Sequence, residues 1–313
     1  METFERITKK NKQVRLIKTI GLSLLTSAVL VVIIAHILRI IVGYNGQKEF
    51  HYQELLSQIA YPNIDSEHYQ HMTGVFSEMI HTERSKDLYG VPVAFTSQDT
   101  YYDWLGVYED ITPNSPIYFK NGDRAYSRET WDKLPVFYNI NKPSSELQMQ
   151  ELQQVKEMNG QLVEMAITFD RLYSYEEIQK MVPATLKKNW FWIGTNSYKD
   201  SSFYRLDQLY GLRPEHLTVA EEQNVMEIIE TVNNMRVNYL SDYRLNDDLE
   251  SFLEKYGSTD FSQVEQINQI SFAGLILTGK AEDFQQLEKA DWVYASSIGI
   301  TRPNHSYYEL DME

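Results

Sequence analysis

Cysteine is absent from all 313 residues, which excludes disulfide stapling and thiolate metal sites. An exported domain of this size without a disulfide fits a bacterial envelope with a single membrane better than a eukaryotic secretory route. Positive charge is scarce as well. The formal net charge is −15; residues 1–18 carry +4 and Arg39 one more, which leaves residues 43–313 at −20. So acidic a stretch has no bulk attraction for nucleic acid or anionic lipid, because neutralising phosphates takes clustered Lys and Arg. Also missing are a G-x-S-x-G elbow, an H-E-x-x-H pair and a Walker-type glycine loop, so no nucleophile, zinc or nucleotide chemistry is announced by motif. Strongly apolar runs are limited to one, Ile20 to Val42.

That run, at ~1.5 Å of rise per helical residue, is long enough to cross a ~30 Å hydrocarbon core with some tilt. Arg6, Lys9, Lys10, Lys12, Arg15 and Lys18 precede it against Glu2 and Glu5. The positive-inside rule therefore keeps the N-terminus in the cytoplasm and places everything from about Tyr44 outside. A cleaved signal peptide would have an apolar core of about 7–15 residues and a small-residue exit; this run is longer and continues into His36, Arg39 and Ile40, as an uncleaved anchor does. Arg39 lies near the outer end, where its stem can snorkel to the headgroups. Ser23 and Ser27, one helical turn apart, would let a partner helix approach closely.

About 270 residues remain, enough for a sizeable core and two subdomains. The expected division is a tail at 1–18, a transmembrane helix at 19–42, a β-rich membrane-proximal region at 43–143 and an α+β domain at 144–313. From Phe50 to about Tyr138, short aromatic and β-branched stretches are broken by turn signals at Asn114, Pro116, Asn121-Gly122 and Pro135, which predicts mainly strand. Ser145 with Gln148 resembles a capping box for a connector helix ending near Asn159-Gly160. Val163, Met165, Ile167 and Phe169 then alternate with Leu162, Glu164, Ala166, Thr168 and Asp170, the pattern of a half-buried strand. Ser174 and Glu177 form a capping box for a short helix that Pro183 ends, and Trp190 to Ile193 reads as a buried strand. A second unit follows: a strand from Ile270 to Thr278, a helix bearing Phe284 and Leu287, and a strand from Trp292 to Ile300. Between the units lie two helices. Thr218 with Glu221 caps one, carrying Val225, Ile228, Ile229, Val232 and Met235; the other carries Leu249, Phe252, Leu253 and Tyr256 and stops at Gly257. Two such units predict a ferredoxin-like βαββαβ sandwich with a helical insertion.

These blocks resemble the sigma factor regulator family, membrane-bound anti-sigma proteins of Gram-positive bacteria with an extracytoplasmic C-terminal domain. The similar stretches are AITFDRLYSYEEIQKMVP (Ala166 to Pro183), NWFWIGTNS (Asn189 to Ser197) and FAGLILTGKAEDFQQLEKADWVYASSIGIT (Phe272 to Thr301), with a fainter likeness at LSQIAYPNID (Leu56 to Asp65). The resemblance implies a protein that restrains an extracytoplasmic-function sigma factor and couples that restraint to envelope conditions. Family members that hold a sigma factor directly have a longer cytoplasmic part than the 18 residues here. Inhibition is therefore expected to need a second membrane protein or several copies acting together.

Other constellations have plainer readings. His68, His71 and His81 would form a metal cluster only if they shared a helical face, and their stretch reads as strand or loop. Glu176-Glu177 and Asp247-Asp248 sit in first helical turns, where acids complement the dipole. Tyr101, Tyr102, Trp104 and Tyr108 could stack on sugar or anchor a partner, but suit hairpin packing better. Trp190, Trp192 and Trp292 are assigned to the core, and Asp170-Arg171 to a turn at a strand end, a place for a sensing contact. No catalytic residue, cofactor or metal is expected. Two other functions compete with regulation: a cell-wall enzyme, which needs two facing carboxylates in a cleft, and a surface binding or scaffold module, which needs an exposed apolar patch.

Overall fold

The structure, a computed structural model, describes residues 2–109, 117–120, 124–140, 149–195, 209–219, 224–238 and 247–310. Residues Glu2–Ile59 form a single α-helix, α1. The expected transmembrane helix thus continues for another 17 residues, and the expected strand character from Phe50 is not found until Asp65. Gly43 and Gly46 each disfavour helix by only ~1 kcal/mol relative to Ala. Burial of Leu55, Leu56 and Ile59, which share one face, outweighs that.

Four strands follow α1: β1 (Asp65–Met72), β2 (Ser77–Leu88), β3 (Val91–Asp103) and β4 (Val107–Glu109), in one sheet of that order. A small hairpin pairs β5 (Ile117–Lys120) with β6 (Arg124–Ser127). Beyond a 3-10 helix at Glu151–Glu157 come β7 (Gln161–Ser174), α2 (Tyr175–Met181), β8 (Lys187–Trp192), β9 (Gly211–Leu212), α3 (Val225–Asn238), α4 (Asp247–Tyr256), α5 (Val264–Ile267), β10 (Ser271–Lys280) and β11 (Val293–Pro303). Their sheet runs β11-β7-β10-β8-β9, with antiparallel neighbours throughout. The protein is a mixed helix-and-sheet chain with one long apolar N-terminal helix.

Two compact units emerge. The first comprises residues 1–49, 70–80 and 100–110, and the second 50–69, 81–99 and 111–313. In the second, Leu55, Leu56 and Ile59 belong to the same apolar cluster as Ile167, Phe191, Leu275 and Phe284.

Three expectations about this unit change. First, β7 is covered on both faces from Leu162 to Phe169 and is not half-buried; Leu162 and Ala166, on the supposed outer face, are apolar too. Second, Asp170 and Arg171 lie within β7 and not at its end. Against β10 the register jumps from Gly274↔Thr168 to Phe272↔Tyr173, so the intervening residues of β7 bulge outward. Third, Asp283–Leu287 is a 3-10 helix, whose three-residue turn stacks Phe284 and Leu287 on one side; both are buried.

The α2 capping box forms as its spacing predicts, with Ser174 Oγ accepting from Glu177 N and Ser174 N donating to Glu177 Oε2. In the insertion, Val225, Ile228, Ile229 and Val232 are buried along α3, and Leu249, Phe252, Leu253 and Tyr256 along α4. Asn224 Oδ1 accepts from Met226 N and Glu227 N at the start of α3. Thr218, expected to cap this helix, instead ends the 3-10 helix Pro214–Leu217, its Oγ1 donating to Glu215 O at 3.1 Å. Glu221, Ser145 and Gln148, and the turn signals at Asn114, Pro116 and Asn121-Gly122 lie outside the described residues, as do the side chains of Met235 and Asp247.

Candidate functional site

The turn after α1 is where the second unit concentrates its polar chemistry. LSQIAYPNID ends the helix: Ala60 N still donates to Leu56 O at 2.8 Å, then Tyr61 and Asn63 take positive φ of 59° and 54°. An Asn tolerates that left-handed geometry better than most residues. Held so, Asn63 Nδ2 donates to Asp87 O at 2.9 Å and to Glu164 Oε1 at 2.8 Å.

Glu164 stands in the middle of β7 and is fully buried. Lys86 Nζ, from β2, reaches both its oxygens at 2.8 Å, and the Ile300 amide of β11 donates to Oε2 at 3.1 Å. Lys86 is itself buried, with its ammonium 5.4 Å from the Phe95 ring centroid. Gly299 leaves room for the carboxylate; a Cβ there would collide with Glu164 Oε2. A second chain of bonds runs alongside. Asp87 pairs with Lys187 at 2.6 Å and accepts from Asn189 Nδ2 at 2.9 Å. Thr278 Oγ1 donates to Asn189 Oδ1 at 2.7 Å and accepts from Tyr89 N.

Arg213 completes the arrangement from the start of a 3-10 helix at Pro214–Leu217. It pairs with Asp65 and donates to Ile64 O at 2.6 Å and to Ser57 O at 3.3 Å. Ser57 O is among the last carbonyls of α1, where helical donors run out and the negative end of the dipole lies. The adjacent His216 is buried; desolvation, helped by the Arg213 charge, pushes its pKa down to about 4. Its Nδ1 accepts from Arg213 N.

Chemically this is a latch. Glu164 accepts four hydrogen bonds from three donors on its two oxygens and has no exposure, so its carboxylate is not free to bind or activate a substrate. A neighbouring apolar cleft lined by Ile59, Tyr210, Leu212, Ile228, Leu249 and Phe252 has a cavity volume of about 10 Å³, room for one water-sized sphere.

The first unit has its own polar collar on α1. Arg39 pairs with Glu78 of β2, so the side chain expected to snorkel has a protein partner. Tyr102 OH donates to the same Glu78 at 2.5 Å; burial and then this carboxylate push the phenol's pKa up. Asn45 Nδ2 donates to Asp103 O at 2.8 Å. Gly46 is needed here, because a Cβ would sit 2.5 Å from the Tyr102 ring.

The residues singled out by sequence are dispersed. His68 Nδ1 bonds Thr82 Oγ1 at 2.9 Å and His81 Nδ1 bonds Asp99 Oδ1 at 2.6 Å; among the described residues no group of three His, Asp or Glu could hold a metal. Glu177 is held below the ordinary carboxylate range by the Ser174 amide, then by Arg171. Glu176 pairs with Lys180 one turn on. Asp170 accepts from Tyr173 OH, and the Arg171 guanidinium stacks 3.8 Å from the Tyr173 ring centroid. Tyr102 is buried and Trp104 exposed, while the Tyr108 side chain lies outside the described residues. Trp190 and Trp192 are core residues; Trp292 is only partly buried, edge-on to Phe169. Glu164, Lys86, Asn63, Arg213, His216 and Glu78 were not anticipated. The one legible signal was that Leu162 and Ala166, which share a face with Glu164, are apolar, so that Glu164 sits between two side chains suited to a covered face.

Among the described residues one helix, α1, is long and apolar enough to cross a membrane, consistent with a single-pass anchor, and its last turns form part of an α+β core. The sigma factor regulator N-terminal family model matches residues 5–93 and the sigma factor regulator C-terminal model residues 152–300; the chain belongs to the sigma factor regulator family. No curated protein and no solved structure matches it. Asn63, Lys86 and Asp87 come from the first matched region, and Glu164, Asn189, Arg213, Thr278 and Ile300 from the second, so the latch is where the two regions of the family are joined.

Proposed function

We propose that this protein is an anti-sigma-factor-like regulator without enzymatic activity, with its large domain outside the cytoplasm, and that α1 carries the state of that domain inward to an extracytoplasmic-function sigma factor. The observation that carries the reading is the latch between the two family regions, centred on Arg213 and Glu164. It fastens the far end of the anchor helix to the regulator sheet. The +4 tail before the apolar run supports the orientation. Strand order supports a ferredoxin-like description of the C-terminal domain: β11-β7-β10-β8 corresponds to the 4-1-3-2 antiparallel order of a βαββαβ sandwich, β9 adding an edge and α3, α4 and α5 filling the insertion.

The finer reading adds a second membrane protein, or further copies of this one, packed on α1 where Ser23 and Ser27 face outward. The test is to delete the gene and measure transcription from the sigma-dependent envelope-stress promoter, then to restore the full chain as wild type or as Arg213→Ala. Deletion should raise transcription. Arg213→Ala, present in the membrane in equal amount, should fail to restore repression. Unchanged transcription on deletion would remove the regulatory reading.

A further inference from the structure

The first unit presents an exposed apolar rim, and its attachment to α1 indicates what covers it. Met72 (70% exposed) and Val75 (71%) flank the tight turn between β1 and β2, in which Thr73 N and Gly74 N both bond Ser77 O. Trp104 (45%) and Leu105 (76%) form the turn between β3 and β4, with Val107 beside them. Asp103 Oδ1 caps the amides of Leu105 and Gly106, which holds the turn in shape.

Both turns point along α1 toward its apolar stretch. At β3, Tyr102 lies against Gly46 and Asp103 bonds Asn45, so the strand descends the helix as it enters Trp104. At β2, Glu78 pairs with Arg39, six residues further down, a drop of ~9 Å. The turn at Gly74 adjoins that pair. Counted from Lys18, the ~20 residues needed to cross a ~30 Å core end near Leu38. Arg39 is therefore at the edge of the hydrocarbon, and its partner Glu78 follows directly on Ser77, the residue that closes the turn.

We propose that the two turns are a membrane-interface foot: Trp104, Leu105, Met72 and Val75 insert into the outer interfacial region of the bilayer that α1 crosses. An amphipathic indole at headgroup level is a favoured membrane anchor, and apolar side chains placed there leave water without a protein partner. Residues 70–77 carry no Lys, Arg, Asp or Glu, so insertion of this turn strips water from no permanent charge. The inference rests on α1 being embedded and not on the sigma factor, and its test does not involve transcription.

Because the chain has no cysteine, single labels are free of background. Full-length Leu105→Cys, Val75→Cys, Leu30→Cys and Tyr307→Cys proteins, each carrying an environment-sensitive fluorophore, are reconstituted in phosphatidylethanolamine–phosphatidylglycerol vesicles containing lipid with a nitroxide high on its acyl chain or deep in it. Labels at 105 and 75 should be quenched by the shallow nitroxide at every protein-to-lipid ratio, the label at 30 by the deep one, and the label at 307 by neither. Quenching at 30 with none at 105 and 75 would overturn the foot alone. No quenching at 30 would overturn the anchor and the foot together. Shielding at 105 that disappears on dilution in lipid would mean that a second copy covers the rim, and would overturn the proposal in that way.

Discussion

Lys86 and Glu164 are two opposite charges with almost no exposure, so removing one leaves the other desolvated and unpaired. Lys86→Met should destabilise the second unit by ~3–5 kcal/mol, whereas Lys86→Met with Glu164→Leu should recover most of that loss; urea unfolding followed through Trp190 and Trp192 measures both. His216 gives a pH signature. Its folded pKa, about 4, lies below the unfolded 6.5, so the unfolded chain binds the extra proton in between. Stability is then full above pH 6.5 and falls by up to ~3 kcal/mol as the pH drops to about 4. His216→Gln should flatten the unfolding free energy across that window, and an unchanged slope would mean that other groups carry it.

At the scale of elements, α1 depends on close approach. Gly46→Val would place a branched side chain where the buried Tyr102 ring already stands. The Asn45 to Asp103 and Arg39 to Glu78 bonds should loosen, and limited proteolysis should cut within 70–80 and 100–110 sooner than in wild type. In the sheet of the second unit, Trp192 stacks on Phe137 at 4.9 Å and Phe169 lies edge-on to Tyr173 and Trp292. Truncating either Trp192 or Phe169 to Ala should cost ~3–5 kcal/mol in the same urea experiment. Both burials were legible because strand period and aromatic density agree at those positions. The partial exposure of Trp292 was not, because it precedes β11, where period-two logic does not apply.

For the whole molecule, the expected result of adding protease to intact spheroplasts is digestion of the large domain, with a protected C-terminus inverting the proposed topology. Composition and local pattern alone determined much: one apolar run of spanning length, a cysteine-free acidic remainder, the Ser174 and Glu177 cap, the faces of α3 and α4, and the family. These are properties of single segments, and hydrophobicity and hydrogen-bonding capacity over a few turns suffice to state them. The tertiary structure decided where α1 ends, that β7 is covered on both sides, that Asn63 and Lys86 meet on Glu164, and that Arg213 reaches Asp65 and the last turns of α1. A polar stretch from Gln47 to Gln53 gives no local sign that Leu55, Leu56 and Ile59 will find a core more than a hundred residues away. A buried ion pair between residues 86 and 164 is favourable only when folding has already removed the water around both, a condition that no segment of the chain contains by itself.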